Sequence, residues 1–286
     1  MKEILIISGK GGTGKTSITS SFAALCENKV MADVDVDAAD LYLVLQPTIK
    51  ETHEFYGSKK AIIDSEKCTR CGLCMQVCRF DAIDDFKVDP ISCEGCGVCY
   101  QICPQKAITM EDNLSGHWYI SDTPYGTLVH AKLGIAEENS GKLVAQVRQA
   151  AKQLAEQRQI PYVITDGPPG IGCPVISALS GADTVLIVVE PTASSMHDLQ
   201  RVLELTSIFK SNVFVCINKY DLSEEQSQQI EWFCYDEGIS VIGKIPFDEA
   251  VIKAIAHGVP PVEYPGPAAQ AIKDLWERIS RGGHEE

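Results

Sequence analysis

The residues "EILIISGKGGTGKTS" near the amino terminus leave little freedom for what can be built around them. Ile4–Ser8 is a short apolar run, and a helical pattern extends from about Lys15 to Cys26. Between them GKGGTGKT fits G-x-x-x-x-G-K-[ST], with Gly9, Gly14, Lys15 and Thr16 in the fixed positions. Such a loop works only between a strand and a helix, because its glycines must let backbone N–H groups reach phosphate oxygens at the helix N-terminus. Gly9, Lys10, Gly11, Gly12, Thr13, Gly14, Lys15, Thr16 and Ser17 are therefore candidate phosphate-binding residues. In this motif Lys15 neutralises the β- and γ-phosphates and the Thr16 hydroxyl binds Mg²⁺.

Later segments continue the alternation of strand and helix. A second strand near Lys29–Ala32 ends in the acids of "DVDVDAADL". Buried strands are expected at Tyr162–Thr165, Thr184–Val189, Asn212–Ile217 and Ser240–Ile245. Helices are expected near Lys142–Arg158, Ser195–Lys210, Glu224–Glu237, Glu249–His257 and Ala268–Ile279. This alternation predicts an α/β fold on a parallel sheet.

Between about Ser58 and Asp112 the rhythm stops and a 25-residue repeat takes over. Cys68, Cys71, Cys74 and Cys78 recur as Cys93, Cys96, Cys99 and Cys103, and the copies end in "DAI" and "KAI". A repeat of this kind marks a separate module. The expected organisation is one domain from residues 1–57 and 113–286, interrupted by an inserted domain at 58–112. A hairpin formed by Trp118–Ser121 and Thr127–Ala131 around "DTPYG" would return the chain to the main domain.

Eight of the twelve cysteines thus fall within 36 residues, in a chain whose Met1-Lys2-Glu3 leads straight into a strand without a secretory signal. In a reducing cytoplasm that pattern points to metal rather than disulfides. C-x2-C-x2-C-x3-C given twice, with Pro104 after the second copy, resembles the spacing of bacterial two-cluster ferredoxins. The resemblance implies two [4Fe–4S] clusters, one on Cys68, Cys71, Cys74 and Cys103 and the other on Cys93, Cys96, Cys99 and Cys78. Gly72, Gly95 and Gly97 would let the backbone approach cluster sulfides. Zinc is the alternative, but it asks for four cysteines in two pairs rather than runs with a third and fourth member. Arg79 stands where the ferredoxin pattern has proline, which leaves a three-iron or damaged second cluster as a further alternative.

The net charge of −14 argues against a general nucleic-acid binder, which carries a basic footprint. No apolar stretch approaches the roughly 18 residues of a membrane span. A cytoplasmic protein with neither nucleic acid nor membrane as partner is expected.

Lys10, a second lysine at the start of the phosphate loop, resembles the deviant Walker A motif of the Mrp/MinD/ParA and nitrogenase iron-protein ATPases. In that family this lysine reaches across a nucleotide-sandwich dimer to the partner's phosphates. "VMADVDVDAADL" is similar to the family's switch I, which implies that Asp35 orients the attacking water and Asp33 lies near Mg²⁺. Asp37 and Asp40 read as solvated loop acids. "YVITDGPPGIG" resembles Walker B with switch II, which makes Asp166 the aspartate that holds Mg²⁺ through water. "VCINKYD" also fits the guanine selector N-K-x-D of GTPases with Asn218, Lys219 and Asp221. The deviant loop outranks that four-residue match, and the family resemblance assigns Asn218 and Lys219 to adenine, with Pro246 in "GKIPFDEA" closing over the base.

These matches resemble, over nearly the whole chain, MinD-superfamily P-loop ATPases carrying an inserted ferredoxin domain. The resemblance implies a doubly wound, mostly parallel sheet and a homodimer or paralogue heterodimer formed around ATP. It implies slow, partner-regulated conversion of ATP to ADP, coupled to electron transfer or to iron–sulfur and metal-cofactor maturation with a carrier protein as partner. The alternative is a nucleotide-switched scaffold or positioning ATPase with structural clusters. Cys173 resembles the position of a dimer-bridging cluster ligand, but no cysteine between Cys103 and Cys173 supplies the second ligand such a cluster needs. Cys26, Cys216 and Cys234 read as packed thiols. Lys142 reads as part of a helix start capped by Asn139 or Ser140, or as a contact to partner or phosphate. The six histidines form no spaced cluster.

Overall fold

The computed structural model of the chain describes residues 1–134 and 140–282. They divide into two compact units, one of residues 1–52, 118–131 and 140–282, the other of residues 53–117 and 132–134. In chain order the elements begin with β1 (Lys2–Ser8), α1 (Lys15–Leu25), β2 (Lys29–Asp33), α2 (Leu41–Leu45) and β3 (Thr48–Ile63). Next come α3 (Leu73–Val77), the short pair β4 (Ile83–Asp84) and β5 (Lys87–Val88), α4 (Val98–Ile102), β6 (Ile108–Thr123) and β7 (Gly126–Leu133). Then follow α5 (Ser140–Gln157), β8 (Tyr162–Pro169), α6 (Cys173–Leu179), β9 (Thr184–Val189) and α7 (Ala193–Thr206). The chain ends with β10 (Asn212–Asn218), α8 (Glu224–Asp236), β11 (Ser240–Ile245), α9 (Glu249–Ala256) and α10 (Pro267–Ser280).

In the first unit the strand order is β11-β10-β9-β1-β8-β2-β7-β6-β3, and every pairing from β11 to β7 is parallel. The central strands are apolar without alternation because both faces are covered: Ile4, Leu5, Ile6 and Ile7 have no exposed surface. On one face Ile18 and Phe22 of α1 join Ile272, Leu275 and Ile279 of α10 over Ile4, Ile6, Met31 and Ile164. The Phe22 and Trp276 rings meet there at 5.1 Å. Full burial of Phe22 contributes about 2–3 kcal/mol. Outside that cluster, α5 buries Leu143, Val144, Val147 and Ala151 and packs on β2 and α6. The hairpin of β6 and β7 closes through Tyr125, whose N–H donates to Thr123 Oγ1 while that hydroxyl donates to the Gly126 carbonyl.

The core of the second unit is small. It consists of Ala61, Cys74, Ala82, Ile83, Cys93, Cys99 and Ile108, with Ile63, Met75, Cys78, Val88, Cys103 and Met110 packed against it. Only two of the buried residues of that cluster carry branched aliphatic chains, and three are cysteines.

Several elements differ from the sequence pattern. β3 and β6 are 16-residue strands with members in both units, where the alternation was expected to end. Consecutive residues such as Lys50 and Glu51, which point to opposite faces, are both charged and exposed, so no apolar alternation marks the strand there. α6 is an additional helix after the Walker B segment. Ser140 is the first residue of α5, while Asn139 and His284 lie outside the described residues. No helix among the described residues is long and apolar enough to cross a membrane.

Candidate functional site

The phosphate loop joins β1 to α1. Gly14 lies at φ 91°, a left-handed conformation open to glycine, and caps α1 so that the first N–H groups of the helix face the loop. Gly9 is required by contact rather than dihedral, since a Cβ there would come 2.6 Å from Asp198 Cβ in the second turn of α7. Gly11 and Gly12 are exposed, Thr16 and Ser17 open the first turn of α1, and Lys15 is buried with its ammonium 3.9 Å from Asp35 Oδ2. The Thr13 hydroxyl is buried with no hydrogen-bond partner among the described residues.

Three acids converge behind the loop. Asp33 and Asp166 are register partners on the parallel strands β2 and β8, and both are buried. Thr16 Oγ1 donates to Asp166 Oδ2 at 2.7 Å, and Thr19 Oγ1 lies 3.0 Å from Asp166 Oδ1. Backbone N–H groups of Asp35 and Leu41 donate to Asp33, each at 3.2 Å. Burial pushes the Asp33 carboxyl well above its usual range, and the neighbouring Asp166 and Asp35 push it further. Burial also raises Asp166, opposed by Lys15 and the two threonine hydroxyls. Asp35 is raised to about 6, mainly by burial, with Lys15 pulling the other way. Burial and mutual repulsion together favour the protonated forms of these acids. Asp37 and Asp40 are exposed.

The N-K-x-D segment is spent on internal contacts. Asn218 is buried, and its Nδ2 donates to the Thr13 carbonyl at 2.8 Å. Lys219 Nζ donates to Glu190 Oε1 at 2.5 Å, and Asp221 Oδ1 accepts from the Phe247 N–H at 2.7 Å, beside Pro246. Lys10 stays within its own chain, with Nζ donating to Thr192 Oγ1 at 2.8 Å and Ser194 Oγ at 3.3 Å. No local pattern pointed to Thr19, Thr192 or Ser194, which reach the site through the fold.

In the second unit the eight cysteines ring two cavities. The first is lined by Cys68, Cys71, Cys74 and Cys103. The second is lined by Cys78, Cys93, Cys96 and Cys99. Gly72 and Gly97, both at positive φ, cap α3 and α4 at the cavity walls. The Ala107 N–H donates to Cys103 Sγ at 3.3 Å and the Ala82 N–H to Cys78 Sγ at 3.4 Å. Lys60 Nζ donates to the Cys93 carbonyl at 2.8 Å. Among the described residues no group of three His, Cys, Asp or Glu side chains is arranged to hold a single metal ion. Cys26, Cys216 and Cys234 are buried, and Cys173 is exposed at the start of α6.

A family model described as the CobQ/CobB/MinD/ParA nucleotide binding domain matches residues 4–262. An uncharacterised protein of Methanocaldococcus jannaschii is 36% identical over 97% of this chain and 96% of its own length. An iron-sulfur cluster carrier protein of Pyrococcus horikoshii is 26% identical over 46% of this chain and 50% of its own. The septum site-determining protein MinD of Pyrococcus horikoshii, solved in complex with Mg-ADP, superposes with a TM-score of 0.59 at 19% identity. That likeness covers 98% of this chain and 96% of the other and shows the shared α/β fold with its large, mostly parallel sheet. The chain belongs to the CobQ/CobB/MinD/ParA nucleotide-binding family and is a P-loop ATPase.

Proposed function

We propose that this ATPase couples its nucleotide cycle to iron–sulfur chemistry, either by gating electron transfer or by delivering a cluster or metal cofactor to a carrier protein. The observation that carries the reading is the interleaved lining of the two cavities: each takes three cysteines from one run and the last from the other. In a cubane each thiolate binds a different iron, so its ligands surround a space instead of meeting at one point. Four thiols per cavity and N–H donors on Cys78 and Cys103 fit two [4Fe–4S] clusters. When bound, such clusters supply one-electron redox chemistry. The iron-sulfur cluster carrier relative supports the same reading.

On the nucleotide side, Lys15 and the loop N–H groups neutralise phosphate charge, and Thr16 and Asp166 hold Mg²⁺ with Asp33 beside them. The Mg-ADP bound by the MinD relative supports this. Asp35 orients the attacking water. Lys219 and Pro246 border the adenine, and Asn218 braces the phosphate loop beside them. Hydrolysis stays slow until a partner docks, and the active form is a homodimer, or a heterodimer with a paralogue, held by ATP. In that dimer Lys10 leaves Thr192 and Ser194 for the phosphates of the facing subunit. The insert follows switch I in the sequence.

The second reading is a nucleotide-switched scaffold or positioning ATPase with structural clusters, favoured by the fold shared with a septum site-determining protein. An anaerobic EPR redox titration of the reconstituted protein with and without MgATP separates the two. A shift of about 60 mV corresponds to roughly 1.4 kcal/mol of coupling for a one-electron cluster and supports gating. Clusters that never reduce, in a protein whose partner binding still follows ATP, support the scaffold. Reconstituted protein that holds no iron–sulfur cluster overturns both iron–sulfur readings.

A further inference from the structure

Thr19 has no part in the motif logic, yet it is fully buried against the carboxylate that closes the phosphate site. It stands three residues after Thr16 on α1, a spacing that puts both hydroxyls on one face of the helix, toward β8. Thr16 Oγ1 reaches Asp166 Oδ2 at 2.7 Å and Thr19 Oγ1 reaches Oδ1 at 3.0 Å, so the two carboxylate oxygens each meet a different hydroxyl. Thr19 Oγ1 also lies 3.0 Å from the Lys15 carbonyl, the ordinary back-bond of a helical threonine. Its single hydrogen serves one of these acceptors at a time, and the buried, ionisable carboxylate is the one with more to lose without it.

A carboxyl group held at one oxygen keeps a broad torsion about its last bond. Held at both, it presents a fixed plane. We propose that Thr19 is a positioning residue for the ATPase reaction: it fixes the plane of Asp166, so that the side chain meets a divalent cation and its water in one orientation. Partners that orient a ligand in this way commonly change metal affinity by 10–100-fold when removed. The inference rests on the reading of Asp166 as the metal-side carboxylate and concerns the residue behind it.

The test uses the full chain with ADP and Mn²⁺ as an EPR-visible probe, measuring the Mn²⁺ dissociation constant by the free-ion signal. Thr19→Val keeps the shape and removes the hydroxyl, and is expected to weaken Mn²⁺ binding about tenfold or more. ADP affinity in EDTA should stay within about twofold of wild type, a split that a general loosening of the loop would not give. Thr19→Ser restores the hydroxyl and should restore Mn²⁺ affinity. If Thr19→Val does not fold, Thr19→Ala takes its place in the same comparison. Asp166→Asn separates the two levels of the argument. Loss of Mn²⁺ in Asp166→Asn with wild-type affinity in the Thr19 variant overturns the positioning role and leaves the metal reading intact. Wild-type affinity in both overturns the metal reading itself.

Discussion

The side-chain amide of Asn218 donates a 2.8 Å hydrogen bond to the Thr13 carbonyl, which ties the end of β10 to the phosphate loop. The same residue was expected to read the base. With Nδ2 engaged on the loop and Oδ1 accepting from the Lys219 N–H, bracing is the role its contacts describe. Asn218→Ala is therefore expected to weaken ATP, GTP and inorganic triphosphate by a similar factor, about tenfold, because the loop carbonyl loses its buried donor. Titration calorimetry with the three ligands decides the point. A loss confined to ATP would return Asn218 to base recognition.

The raised Asp35 carboxyl makes a prediction in pH. Its folded value of about 6 lies above the unfolded value of 3.8, so folding favours the protonated form. That contribution is complete below about pH 4 and is lost as pH rises through about 6. Asp35→Asn carries no such titration. Its stability relative to wild type should improve between pH 4 and pH 7, by up to about 2 kcal/mol once partial exposure is discounted. Nucleotide-free protein followed by urea unfolding at several pH values checks this. A flat difference would mean that Lys15, 3.9 Å away, already cancels the burial cost.

How much of the site could be read in advance depends on how local its residues are. The phosphate loop, the Asp33–Asp35 pair and Asp166 announce themselves because motif and flanking strand are contiguous, and the structure brings all of them together behind α1. Thr19 was hidden in "SITSS", where a helix of small polar residues looks like any other. Lys10 meets Thr192 and Ser194 across some 180 residues, a contact that only the β9–α7 turn creates. β3 and β6 escaped because consecutive residues on both faces are exposed and polar over part of each strand, which leaves no period of 2 to read.

On the central strand β1, Glu3 is fully buried and held by Arg148, whose Nε donates to Oε1 at 2.8 Å and Nη2 to Oε2 at 2.5 Å. Thr165 Oγ1 donates to the same carboxylate at 3.0 Å, and Lys152 approaches it at 2.7 Å. Removing Arg148 strands a buried charge, which typically costs about 3–5 kcal/mol. Arg148→Met should therefore fall at the lower end, since Lys152 remains. The double variant Glu3→Gln with Arg148→Met should recover more than half of the loss. Denaturant melts of the three proteins under reductant measure this coupling; a double variant no better than the single would assign the cost to lost packing of Arg148.

The interleaved cavities predict a pattern in double substitutions. Cys103 lines the cavity of Cys68, Cys71 and Cys74, although it lies 25 residues from Cys78, the neighbour that a run-by-run arrangement would put there. With interleaved ligation, Cys68→Ala and Cys103→Ala damage the same cluster, so the double variant should keep about half of the wild-type iron, as each single variant does. Cys93→Ala with Cys103→Ala strikes both clusters and should leave almost none. Ligation within each run reverses these outcomes, because Cys93 and Cys103 would then share one cluster and Cys68 and Cys103 would not. Iron and acid-labile sulfide counts on anaerobically reconstituted protein, read beside the reduced EPR signals, distinguish the two arrangements without reference to turnover.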